Sequence, residues 1–218
     1  EGQPIKEAQS SSFELVKNNN IFAHDKNSFY FKGKKFNLFA PQKSKNLWSH
    51  YWADGKNLFY FDTSEESSNI ISISTNFNGK YRQINTYFIT KDGVFKDGLK
   101  TKFDAQSFGI LGIKKVTDSC ASEDTEHILQ TDKNGTYLDS KKLPIQLTLF
   151  NNYTNLYISK EQIVYSFSNN DTGLIELGSA KNLRFIENNR NTLIQVRGKT
   201  YMLMSDRVSE LTNDEIID

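Results

Sequence analysis

Aromatic and aliphatic residues recur along this chain in runs of three to six, and each run is closed by a short polar stretch. The runs include FYF (29–31), LFYF (58–61), YFIT (87–90), IVYSF (163–167) and TLIQV (192–196). Runs of that length, alternating or continuously apolar between turn residues, predict strands. The polar stretches between them are Asp25-Lys26-Asn27, Lys32-Gly33-Lys34, Asp54-Gly55-Lys56-Asn57, Lys91-Asp92-Gly93, Lys96-Asp97-Gly98, Asp132-Lys133-Asn134-Gly135 and Arg197-Gly198-Lys199. Asp, Asn and Gly are the residues that short hairpin loops need, because such loops put one or two positions at positive φ. No stripe of 3.6-residue period reaches helical length before the tail. There SDRVSELTNDEIID (205–218) predicts a terminal helix or a fraying end.

The hairpins repeat. Taking Asp25, Asp54, Asp92 and Asp132 as marks, successive copies are 29, 38 and 40 residues apart. A single hairpin cannot bury its own apolar face, so copies must pack on their neighbours. The expected fold is therefore all-β: one domain of tandem hairpin or meander repeats with short helical turns. Approximate repeat bounds are 11–49, 50–86, 87–126, 127–154, 155–191 and 192–204, followed by the tail at 205–218. The arrangement is propeller-like or an open stack. Closure removes exposed edges and so favours the former.

Several motifs recur in order. Asp25-Lys26-Asn27 precedes Phe29-Tyr30-Phe31, Asp54 precedes Phe59-Tyr60-Phe61, Asp132-Lys133-Asn134 precedes Tyr137, and FDAQSF (103–108) echoes SSFELV (11–16). This series, over about residues 11–145 with weaker continuation to 204, resembles the bacterial DKNYY repeat family. The resemblance implies a bacterial, often exported protein. It carries no catalytic residue across, because the motif is one of turns and strands. Copy two has Gly where the motif has Lys, and copy five lacks the aspartate.

Composition sharpens the reading. Hydrophobic residues make up 37%, yet 16 Phe, 10 Tyr and 2 Trp carry large buried area each. The 27 Lys+Arg and 26 Asp+Glu give a formal net charge of +1. Without a basic stripe beyond KGKK (32–35) and SKK (140–142), nucleic acid is excluded as the main partner. The lone Cys120 allows no internal disulfide and leaves the redox compartment open. A start at Glu1 suggests removal of an upstream segment. An extracytoplasmic location, periplasmic or lipid-anchored, is expected on that ground, with the cytoplasm as the alternative. No apolar run approaches the roughly 18 residues of a membrane helix. The Asn-x-Thr triplets at Asn134, Asn152 and Asn170 mark loops.

Candidate chemistry is sparse. The turn aspartates each stand beside Lys or Gly, whereas a calcium loop gathers several oxygen ligands. They read as turn formers. His24, His50 and His127 have no metal-ligand spacing, and no nucleophile elbow, P-loop or dinucleotide fingerprint occurs. Cys120 would need His127 brought close by the fold, and its ASED surroundings disfavour a thiolate. The most unusual stretch is Trp48, His50, Tyr51 and Trp52, a group that serves equally as a core or as a partner-binding surface. The expectation is a non-enzymatic module without cofactor or metal that binds another protein. Within that class the reading is an immunity protein blocking an antibacterial toxin. The alternative is a carbohydrate or envelope-polymer binding protein using the same aromatics.

Overall fold

In the structure, a computed structural model, residues 5, 7–16, 19–36, 44–63, 69–116, 125–151, 153–169, 173–187 and 192–212 are described. They form six four-stranded antiparallel sheets, each a meander in sequence order. The fold is thus all-β, built of tandem meander units. Two compact units divide the chain at residues 105 and 106, three sheets in each.

In the first unit, sheet 1 holds β1 (Glu14–Val16), β2 (Asn19–His24), β3 (Phe29–Phe31) and β4 (Lys34–Phe36). Sheet 2 holds β5 (Lys45–Trp48), β6 (Tyr51–Ala53), β7 (Leu58–Phe61) and β8 (Ile70–Ser74). Sheet 3 holds β9 (Arg82–Ile84), β10 (Tyr87–Thr90), β11 (Gly93–Lys96) and β12 (Leu99–Lys100). Sheet 2 is covered on both faces, which is why β6 and β7 are apolar almost throughout. Trp52, Phe59 and Phe61 pack with Phe22, Phe29 and Phe31 of sheet 1. Their neighbours Tyr51, Ala53 and Leu58 point the other way, onto Phe77 and onto Phe88 and Phe95 of sheet 3. Strand alternation divides one apolar run between two cores.

The second unit repeats the scheme. Sheet 4 holds β13 (Gly109–Val116), β14 (Thr125–Asp132), β15 (Gly135–Leu138) and β16 (Lys141–Lys142). Sheet 5 holds β17 (Leu147–Phe150), β18 (Tyr153–Ser159), β19 (Ile163–Phe167) and β20 (Leu174–Ser179). Sheet 6 holds β21 (Arg184–Glu187), β22 (Thr192–Val196), β23 (Lys199–Leu203) and β24 (Val208–Leu211). Sheet 5 shares Tyr157 and Phe167 with Leu129 of sheet 4. It gives Leu156, Val164 and Leu177 to the core formed with Ile194, Val196, Tyr201 and Val208 of sheet 6.

Two details differ from the sequence reading. Every sheet after the first begins one strand before the repeat bound inferred from the aromatic runs: β5, β9, β13, β17 and β21 precede residues 50, 87, 127, 155 and 192. These first strands are short or half-exposed, and in sheets 1, 2, 4 and 5 the register slips against the second strand, so no clean alternation announces them. The tail is the second difference. Residues 208–211 form β24, pairing Val208 with Leu203 and burying it, instead of a helix. Residues 213–218 of that tail lie outside the described part. The short helical turns appear as 3-10 turns at Ser10–Ser12 and Ala180–Asn182, each leading into the first strand of a sheet.

Candidate binding surface

The hairpin joining the second and third strands is where the turn aspartates act. Its first position is Asp25, Asp54, Thr90, Asp132, Ser159 and Val196 in sheets 1 to 6. Asp25 Oδ1 accepts the backbone N–H groups of Asn27 at 2.8 Å and Ser28 at 2.7 Å. Its Oδ2 accepts the Gln9 N–H at 3.0 Å and the Tyr30 hydroxyl at 2.7 Å. The donors, Gln9 first among them, outweigh the cost of burial and hold the carboxyl down at about 2. Burial and the Asp25 charge push the Tyr30 phenol up. Asp132 repeats the pattern, accepting from Asn134 N–H at 2.8 Å and from Tyr137 at 3.3 Å. Asp54 accepts only from the Asn57 N–H, at 3.1 Å, among these turn partners, with Phe59 where the phenol would stand.

Sheet 3 corrects the repeat marks. Thr90 pairs with Gly93, so Thr90 holds the capping position and its Oγ1 accepts the Asp92 N–H at 3.0 Å. Asp92 is two residues on and accepts from Ser74 Oγ at 2.8 Å. In sheet 5, Ser159 stands where copy five lacked its aspartate, in a loop one residue longer, with Ile158 opposite Val164. The carboxylates of Asp25, Asp54 and Asp132 and the hydroxyls of Thr90 and Ser159 each accept a backbone N–H of their own turn. Among the described residues no group of three or more His, Cys, Asp or Glu is placed to hold a metal ion.

The aromatic group singled out from the sequence is divided by the fold. Tyr51 and Trp52 are 1% and 2% exposed and lie in the two cores on either side of sheet 2. Tyr51 stacks on Phe88 with ring centroids 4.2 Å apart, and its hydroxyl accepts the Gly98 N–H at 3.1 Å. Burial drives the Tyr51 phenol up to about 12. Trp48 is half-buried and stacked on Tyr51 at 5.8 Å. His50, also half-buried, contacts Thr63 Oγ1 through Nδ1 at 3.0 Å. Trp48 and His50 therefore offer partial faces to solvent, whereas Tyr51 and Trp52 offer none.

Other reactive groups are dispersed. His24 is half-buried at the end of β2. The Nδ1 of His127 lies 2.8 Å from Asp139 Oδ2, while Asp139 Oδ1 accepts the Ile128 N–H at 2.8 Å. Cys120 lies outside the described residues, as do Asn152 and Asn170; Asn134 is in the exposed turn of sheet 4. Lys114 of β13 is 2% exposed and donates to the Ser168 carbonyl at 2.6 Å.

The exposed apolar side chains form a different set. Leu15 in β1 and Leu99 in β12 are 61% and 66% exposed, and both belong to outer strands of their sheets. Leu149 of β17 and Ile186 of β21 are the counterparts in the second unit. Leu15 and Leu149 are equivalent: each pairs with the residue two before the turn cap, Ala23 or Tyr157, just ahead of a register slip. Sequence reasoning passed over all four, because exposure at an edge leaves no mark in periodicity.

The family model described as the DKNYY family matches residues 1–169. No curated protein and no solved structure matches the chain. No helix among the described residues is long and apolar enough to cross a membrane.

Proposed function

The chain belongs to the DKNYY family, and from that premise we propose that it is a bacterial, non-enzymatic module that binds another protein. Its specific role in this reading is that of an immunity protein, which holds and silences an antibacterial toxin outside the cytoplasm. Exposed leucines on outer strands carry the proposal, Leu15 on β1 and Leu99 on β12 above all. An outer strand presents unpaired N–H and C=O groups to an incoming strand, and an apolar side chain beside them adds area that water leaves on contact. Such a protein needs shape and exposed area and no reacting group of its own. The aromatics that would have served sugar stacking supply less support, since Tyr51 and Trp52 are buried.

The test uses the full chain as bait in lysate of its own organism, followed by purification of any stoichiometric partner. The expected partner arrests growth when expressed alone and is neutralised by this protein. Replacing Leu15 and Leu99 together by Glu abolishes both binding and protection in this reading. A partner that is harmless, or that binds the double variant equally well, sinks it.

A further inference from the structure

Sheet 4 begins with β13, a strand of eight residues that pairs with β14 on one side and with no strand on the other among the described residues. Such an outer side is a row of backbone groups by which one strand recruits another. From Gly112 to Val116 the pairing with β14 is regular, so residues facing outwards alternate with residues bonded to β14. Lys115 faces outwards, and both of its backbone groups are met by side chains from sheet 6. Asp206 Oδ2 accepts the Lys115 N–H at 3.2 Å, and Arg207 Nη1 donates to the Lys115 carbonyl at 3.1 Å. One carboxylate and one guanidinium thus stand where a neighbouring strand would bond. Ile113 turns to the same side by alternation, and its outward N–H and C=O have no partner among the described residues.

The loop that carries this pair is rooted away from β13. Residues 204–207 join β23 to β24, with the Met204 N–H on the Arg207 carbonyl at 2.9 Å and Leu203 opposite Val208. Sheet 5 holds the base of the loop. Asn155 Nδ2 donates to the Met204 carbonyl, and the Asn169 N–H meets the Val208 carbonyl at 3.0 Å. At the tip, the bonds from Asp206 and Arg207 to Lys115 are exposed. Arg207 Nε lies 3.4 Å from Asp206 Oδ1 and is buried without a hydrogen-bond acceptor. A guard with exposed bonds and an unmet donor is displaced more easily than the hairpin beneath it.

The strand behind the guard is complementary to itself. Residues 109–113 are apolar or glycine and half-buried. In antiparallel pairing about a two-fold axis at Ile113, this residue exchanges both backbone bonds with its own copy. Lys114 then falls opposite Gly112 and Lys115 opposite Leu111 of the other copy, so no two lysines are opposed. Lys115 is already matched by Glu126 of β14, at 3.4 Å. We propose that β13 is a strand-pairing surface for a second copy of this chain, and that Asp206 and Arg207 hold it closed. The surface belongs to the second unit and uses neither Leu15 nor Leu99, so it stands independently of the partner reading above.

Sedimentation velocity of the full chain over a wide range of concentration tests the proposal. The wild type is expected to remain a monomer. D206A/R207A, which removes both guarding side chains, should move to the mass of two chains as concentration rises. Adding I113P identifies the surface. Proline at this position removes an N–H that points away from β14, so sheet 4 keeps its ladder while pairing between copies loses bonds at its centre. The triple variant should therefore return to the monomer. Circular dichroism shows which variants are folded. If D206A/R207A does not fold, R207M decides in its place, since it keeps the side-chain stem and opens the Lys115 carbonyl. A folded D206A/R207A, or in its place a folded R207M, that stays monomeric throughout overturns the proposal. Association that I113P leaves unchanged, or a wild type that is already dimeric, overturns it as well.

Discussion

Tyr30 donates its phenolic hydrogen to Asp25 Oδ2 across a buried 2.7 Å, and Tyr137 stands in the same relation to Asp132, at 3.3 Å. The spacing of five residues is what makes the bond. The cap holds the turn amides on one side, and the register of the hairpin brings the third strand's aromatic back beneath it, with Tyr30 opposite Ala23 and Tyr137 opposite Gln130. The recurring Asp, Asn and Tyr of the family motif therefore act as one unit, a turn locked to its own strand.

The first prediction concerns this lock. Asn in place of Asp25 keeps the shape but loses charge-assisted bonds to Gln9, Asn27, Ser28 and Tyr30, and should cost about 1.5–3 kcal/mol. The pH dependence follows from the depressed carboxyl. At about 2 in the fold and near 4 in the unfolded chain, Asp25 binds its proton more readily when unfolded. Its contribution is complete above about pH 4 and is lost as pH falls towards 2. Urea midpoints at pH 6 and pH 2.5 should fall further for the wild type than for D25N. Equal falls would mean that the carboxylate is not the stabilising species.

The second prediction separates two glycines of similar conformation. Gly33 and Gly98 have φ of 76° and 75° in equivalent two-residue turns. A Cβ on Gly33 meets nothing within 4 Å, so G33A costs only the left-handed strain of about 1–2 kcal/mol. A Cβ on Gly98 would lie 2.6 Å from the Tyr60 ring, which is also in edge contact with Tyr51. G98A should therefore be the worse variant, by about 1–3 kcal/mol of overpacking. Thermal melts of the two variants decide it, and similar losses would remove the steric account.

What the sequence carried and what it withheld have physical causes. Strand type and turn positions were legible because aromatic runs and Asp-Asn-Gly turns are local signals, and the second to fourth strands of sheet 1 sit where FYF and Lys32-Gly33 placed them. The first strands were not, since an exposed ELV or a slipped KNLW has neither clean alternation nor strong turn chemistry. Asp92 stood out as a turn mark although Thr90 is the cap, because a hydroxyl can do the carboxylate's work and register decides which residue does it. The division of Trp48, His50, Tyr51 and Trp52 into buried and half-buried pairs depends on sheets far along the chain folding over both faces. Exposed leucines are likewise a product of pairing between strands.

The third prediction distinguishes the two tryptophans. Trp52 touches Phe22 and Phe29 of sheet 1 and Phe61 of its own sheet, so W52A should cost about 3–5 kcal/mol. Trp48 is half-buried at the end of the stack with Tyr51 and Phe88, and W48A should cost distinctly less. Emission from W48F, with Trp52 alone remaining, should be blue-shifted and resistant to an aqueous quencher. A strongly quenched Trp52 would place it at a surface and reopen it as a contact residue.

The last prediction tests the packing of sheets 4 and 5 with a coupled pair. A Cβ on Gly112, in the slipped part of β13, would overlap the hydroxyl of Tyr157, a side chain with no exposed surface. G112A should lose about 1–3 kcal/mol through overpacking. Y157F removes the oxygen that the methyl group would strike first, though Tyr157 Cζ would still lie 2.8 Å away. The double variant should therefore recover part of the loss, and the two substitutions should not add. Urea unfolding of the four proteins in the cycle gives the coupling directly. Strict additivity would show that β13 shifts away from Tyr157 at no cost, and that the glycine is not what lets the tyrosine lie against the strand.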